Sequence, residues 1–212
     1  MAQNASAAGN YSEAYDYFTK VLENEPTNAE AWFGKGTAAG WQSTLKEFRF
    51  SEMLVAYANA VKFTADDKKV EMELGCANIL NEVAVACYQL SRKHMLEFIA
   101  LPNVWEEFLP QSRQIISSFE AAHHYAPNDR QIIENIINVC SDKIKGATYH
   151  DPYKNANGWV CLAPPYEQEM RQVLASYEEK LRHIDPSYVP PNPKNSKPGC
   201  FVITATMGSA ND

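Results

Sequence analysis

The sequence predicts an all-α fold of antiparallel helical hairpins. Three observations predict it. Apolar residues recur at intervals of three and four through most of the 212 residues. Prolines and small polar residues fall between these stretches, where helices end and begin. No convincing β-hairpin signal is expected before residue 199. The composition suits a packed domain, with 45% hydrophobic and 21% charged residues.

The first sixty residues carry a repeat. Gly9-Asn10-Tyr11-Ser12-Glu13-Ala14 leads into Phe18, Val21 and Pro26, and Ala31-Trp32 and Gly36 follow. Small and bulky apolar residues alternate at helical spacing, and a proline then closes the helix. This pattern resembles the tetratricopeptide repeat, a unit of two antiparallel helices. Tyr11, Ala14, Phe18, Val21 and Pro26 match the second helix of one unit, and Trp32, Gly36 and Ala39 match the first helix of the next. In that frame Met1 falls near position seven of a unit, so an opening turn and its tryptophan are expected to be missing. The second helix of the next unit, Arg49-Phe50-Ser51-Glu52-Met53 through Val61, arrives five residues late. An insertion is therefore expected in the turn after Trp41, with a segment such as Trp41 to Leu45 looping out or lengthening a helix.

Beyond Asp66 longer helices are expected. Residues 67 to about 100 place Val70, Leu74, Ala77, Leu80, Val83, Ala84, Cys87 and Leu90 on one stripe, ended by Pro102. A helix from Val104 to Tyr125 ends in Phe119, Ala122 and Pro127, at the mutual spacing of Phe18, Val21 and Pro26. Asn128 or Asp129 can cap the next, which carries Ile132, Ile133, Ile136, Ile137, Cys140 and Ile144 and stops at Gly146. The last, Tyr166 to Ile184, aligns Met170, Leu174, Tyr177 and Leu181. The expected organisation is thus a helical domain over 1–184: repeats at 1–65, longer helices at 66–145, a long loop at 146–165 and a final helix at 166–184. A Pro-rich linker at 185–199 and an apolar tail at 200–212 follow. The tail resembles a short Cys-Phe-Ile-x-Thr-Ala motif met near the ends of assorted bacterial proteins.

The net charge of −7 lacks the cationic field that carries most nucleic-acid affinity. No apolar run is long enough for a membrane span, and Met1-Ala2-Gln3-Asn4 does not open a signal peptide. Five cysteines without a Cys-x-x-Cys pair argue for a reducing compartment, so a cytoplasmic location is expected.

The resemblance implies that the first helix of each unit lines a groove holding a protein or peptide. Phe33, Thr37 and Trp41 share one helix face and are the expected groove residues. Capture of a chaperone tail is disfavoured, because Gly34 stands where an asparagine is expected and Lys35 is alone. The tail offers Cys200, Phe201, Val202 and Ile203 as a docking segment, for another protein or for the chain's own groove. Neither a cofactor nor a metal is expected: His123 and His124 are neighbours on a helix and diverge by about 100°. The resulting expectation is a non-catalytic scaffold or adaptor. One alternative is a thiol-dependent enzyme or processing substrate, using the loop's His150, Asp151 and Cys161, or Cys200. The other is a self-assembling structural protein that stacks through its incomplete first helix. Cys76 and Cys87, eleven residues apart on one helix, are expected to be core side chains.

Overall fold

The computed structural model describes residues 2–196, and all statements below concern those residues. Eight α-helices pair in chain order: α1 (Ala2–Ala7) with α2 (Tyr11–Asn24), α3 (Ala29–Trp41) with α4 (Phe50–Phe63), α5 (Lys69–Phe98) with α6 (Val104–Tyr125), and α7 (Arg130–Lys145) with α8 (Pro164–Ile184). A one-turn 3-10 helix, Asp66–Lys68, leads into α5. The all-α expectation holds, with one correction: Ala147–Asp151 and Ala156–Val160 form an antiparallel β-hairpin, β1 and β2, within the stretch expected to be an aperiodic loop.

The joints between pairs explain the regular order. At the α2–α3 joint, Glu25 (φ −130°, ψ 72°) precedes Pro26, and the Asn28 side chain accepts from the Ala31 amide at 2.9 Å. At the α6–α7 joint, Ala126 (φ −132°, ψ 73°) precedes Pro127, and Asp129 accepts from the Ile132 amide at 3.1 Å. In each the cap amide donates to the carbonyl three residues earlier, Asn28 to Glu25 at 3.0 Å and Asp129 to Ala126 at 3.1 Å. Proline stops the helix and Asn or Asp starts the next, so the turn is written in four residues. The turn after α8 begins alike: Asp185 (φ −131°, ψ 94°) precedes Pro186, and the Tyr188 amide donates to the Asp185 carbonyl at 3.0 Å. Tyr188 has no capping oxygen within reach of a following helix, and Pro190 and Pro191 bar helical hydrogen bonds.

No helix follows. The segment expected to be an extended, semi-rigid linker lies, as far as Ser196, as a strap folded back along α8. Arg171 donates to the Pro193 carbonyl at 3.0 Å, Asn195 to Glu167 at 3.0 Å, and Ser196 to Val160 at 2.8 Å through its hydroxyl and to Lys145 at 2.7 Å through its amide. Eight extended residues cover ~25 Å at ~3.1 Å each. That matches the ~26 Å between Glu167 and Ile184 on α8 at ~1.5 Å per residue.

Close helix contacts are set by small residues on α3. A Cβ at Gly34 would lie 2.2 Å from the Phe18 ring, and one at Gly36 would lie 2.8 Å from Tyr57. The 42–49 insertion forms a tight loop, bridged between Thr44 and Glu47, and Gln111 of α6 donates to the Leu45 carbonyl at 2.9 Å. Two apolar clusters result. A small one joins α1, α2 and α3 around Ala14, Phe18 and Leu22, and the main one runs from Phe50 and Tyr57 through α5, α6 and α7 to Leu181.

In the hairpin the alternation places Ala147, Tyr149 and Val160 toward the main core. Tyr149 lies across from Gly158, where an added Cβ would meet its ring at 2.6 Å. The Asp151 carboxylate accepts from the Tyr153 and Lys154 amides at 2.9 and 3.2 Å and closes the four-residue turn.

Candidate functional site

Phe33, Thr37 and Trp41 share one face of α3, as expected, but that face is largely used for packing. The Phe33 ring stacks on Tyr57 at 5.3 Å between centroids, and an added Cβ at Gly75 of α5 would lie 3.5 Å from it. The Thr37 hydroxyl bonds the Tyr57 hydroxyl at 2.9 Å. Trp41 stacks on Tyr11 at 5.9 Å. All three are half-buried, and Phe33 and Trp41 pack on the main core. Lys35 lies over the Tyr15 ring at 5.0 Å and the Trp32 ring at 5.7 Å, so its charge is engaged locally.

An open space on the first-helix side lies in the next two pairs. Between α5 and α7 is a cavity of about 520 Å³. Val85, Tyr88, Arg92 and Leu96 line it from α5, Asn135, Asn138, Val139 and Asp142 from α7, and Phe119 closes its floor. Its spacing is helical: Val85, Tyr88, Arg92 and Leu96 recur at threes and fours, as do Asn135, Asn138 and Asp142. A polar ladder crosses it. The Asn135 amide donates to Asn81 at 2.8 Å, the Tyr88 hydroxyl to the Asp142 carboxylate at 2.9 Å, and Arg92 pairs with the same carboxylate at 2.9 Å. Burial, then the neighbouring Asp142 charge, push the Tyr88 phenol upward, so it stays a protonated donor. Asn138 is exposed and has no fixed partner among the described hydrogen bonds, so its amide can both donate and accept. Apolar patches flanking amides at helical intervals suit an extended chain, which brings alternating apolar side chains and peptide groups.

The sequence did not single these residues out. Asn, Gln, Lys and Arg at surface spacing on α5 and α7 read as a solvated face until the two helices are set side by side.

The residues that would serve a thiol enzyme are kept apart. In the hairpin register His150 stands across from Asn157, its ring nitrogen 3.4 Å from the Asn157 oxygen. Cys161 lies four residues beyond Asn157, or ~13 Å at ~3.3 Å per residue. Asp151 points to the opposite face from His150, and its carboxylate is committed to the turn and to Lys154 at 3.5 Å. Burial pushes the Cys76 and Cys140 thiols up to about 12 and Cys87 up to about 11, which leaves all three protonated and unreactive at neutral pH. His123 and His124 diverge: His123 meets Lys180 at 3.2 Å, and His124 lies against Tyr125. Cys200, Phe201, Val202 and Ile203 lie outside the described residues. No described helix is long and apolar enough to cross a membrane. In comparisons with protein-family models and with curated proteins, the chain matches none.

Proposed function

We propose that this is a non-catalytic, tetratricopeptide-like scaffold that binds an extended segment of a partner protein along the first-helix side of its pairs, between α5 and α7. The observation that carries the reading is the cavity of about 520 Å³ in which the Tyr88–Asp142–Arg92 cluster and the Asn135 and Asn138 amides alternate with Val85, Leu96 and Val139. Main-chain groups of a bound segment would exchange hydrogen bonds with the amides, and its side chains would cover the apolar patches. The Phe33 face serves as the wall that fixes α3 against α4 and α5.

The test is selection of phage-displayed peptides on the intact chain, followed by fluorescence anisotropy with the enriched peptides. Asn138→Arg places a long side chain in the cavity from an exposed position without touching the core. It is expected to weaken binding at least tenfold, while Trp159→Ala, outside the cavity lining, leaves it unchanged. No enrichment, or binding indifferent to Asn138→Arg, removes the reading.

A further inference from the structure

A second cavity, of about 600 Å³, lies among the second helices of the last three pairs. Phe50 and Leu54 of α4, Leu109 of α6, Leu162 just before α8 and Met170 within it give it apolar walls. Its volume falls in the range of small-molecule sites.

One side chain in it is out of keeping with these walls. Lys143 of α7 lines the cavity and is only 4% exposed. Its neighbours in charge are occupied: Arg113 of α6 pairs with Glu169 of α8 at 3.8 Å, both more than half exposed at the rim. Lys145 and Arg92 meet Asp142 at 3.9 and 2.9 Å. Lys143 takes part in no ion pair or side-chain hydrogen bond among the described residues. Burial lowers its proton affinity, and the Arg113 charge acts the same way, against opposing contributions from Cys140 and Glu169. Ser118, 1% exposed, lines the same cavity and its hydroxyl also lacks a partner. Lys143 and Arg113 against Glu169 leave one surplus positive charge on the lining, and of the two cations only Lys143 is a buried residue. An uncompensated buried ammonium is costly, and a single anion beside it removes most of that cost.

We propose that this cavity binds a small amphipathic monocarboxylate, with the carboxylate on the Lys143 ammonium and the hydrocarbon body along Leu54, Leu109, Leu162 and Met170. The single surplus charge selects a carboxylate over a phosphate ester, which carries nearly two. The ring of aliphatic side chains selects an alkyl body. The site is separate from the α5–α7 cavity and does not depend on it.

The experiment is isothermal titration of the intact protein with decanoate and with decan-1-ol, both below their aggregation limits. Decanoate is expected to bind one to one and at least tenfold more tightly than the alcohol. Lys143→Met is expected to erase that preference while the alcohol still binds, and Leu109→Trp, which fills the cavity, to abolish both. No saturable binding of decanoate, equal affinity for the two ligands, or a preference that survives Lys143→Met overturns the proposal. A measurement on the wild type keeps the proposal testable should a variant fail to fold: decanoate must move one lysine Nζ resonance and raise its titration midpoint. If it moves none, the proposal fails.

Discussion

Replacing Lys143 by methionine removes a buried charge while keeping a side chain of similar length. With a side chain almost wholly withdrawn from solvent and no ion-pair partner among the described residues, the wild-type chain carries a desolvation penalty that methionine lacks. Apolar replacement of buried charges is neutral or stabilising by about 1–4 kcal/mol. The ammonium faces a cavity rather than solid core, so the low end applies, and a gain of about 1 kcal/mol raises Tm by ~2–4 °C in a domain of this size. The pH dependence has a definite sign. The folded-state proton affinity lies below the ordinary lysine value of 10.5. At neutral pH both states hold the proton and the whole penalty is present. As pH rises through the lowered folded value, the folded state loses its proton first and the penalty fades, so wild type gains on the variant. Scanning calorimetry without ligand should therefore show Lys143→Met more stable at pH 7, with the gap narrowing toward pH 10. A loss of stability at pH 7, or a gap independent of pH, would show that Lys143 is already compensated and would refute the reasoning.

Two further outcomes are expected. Gly34→Ala puts a methyl group 2.2 Å from the Phe18 ring and should cost about 1–3 kcal/mol by overpacking, read as a lower urea midpoint with an unchanged slope; full stability would mean that the α2–α3 contact is loose. Among the described cysteines, Cys161 should react first with a thiol reagent at pH 8, and Cys76, Cys87 and Cys140 only after unfolding, as peptide mapping of the labelled chain will report; early labelling of Cys140 would contradict its burial.

Helices governed by one strong periodicity were legible in the sequence. The isoleucine stripe of α7, its Asp129 cap and its Gly146 stop stand where expected, and Gly146 adopts the positive φ of 63° that a side chain would resist. The Pro26 and Pro127 turns were legible because a proline and a capping Asn or Asp constrain the same bonds in both places. The hairpin was not legible, because Asn157-Gly158 interrupts the alternation of β2 and the packing of Tyr149 over Gly158 exists only once the strands pair. The strap was hidden for a related reason: prolines dictate an extended chain but not the surface on which it lies. On α3 the aromatics were visible as a face, whereas the approach of α5 at Gly75 that covers Phe33 comes from a distant segment. Lys143 did leave a trace. It sits three residues after Cys140 and seven after Ile136, on the apolar stripe of α7, where a charge interrupts the pattern.

A stack of helix pairs has two ends, and each invites another layer. At the α8 end the chain lays its own strap, with Pro193 buried and its carbonyl accepting from Arg171, the Asn195 side chain on Glu167 and the Ser196 hydroxyl on Val160 at the hairpin base. A neighbouring copy seeking to continue the row on the Glu167–Arg171 side of α8 would first have to displace this strap.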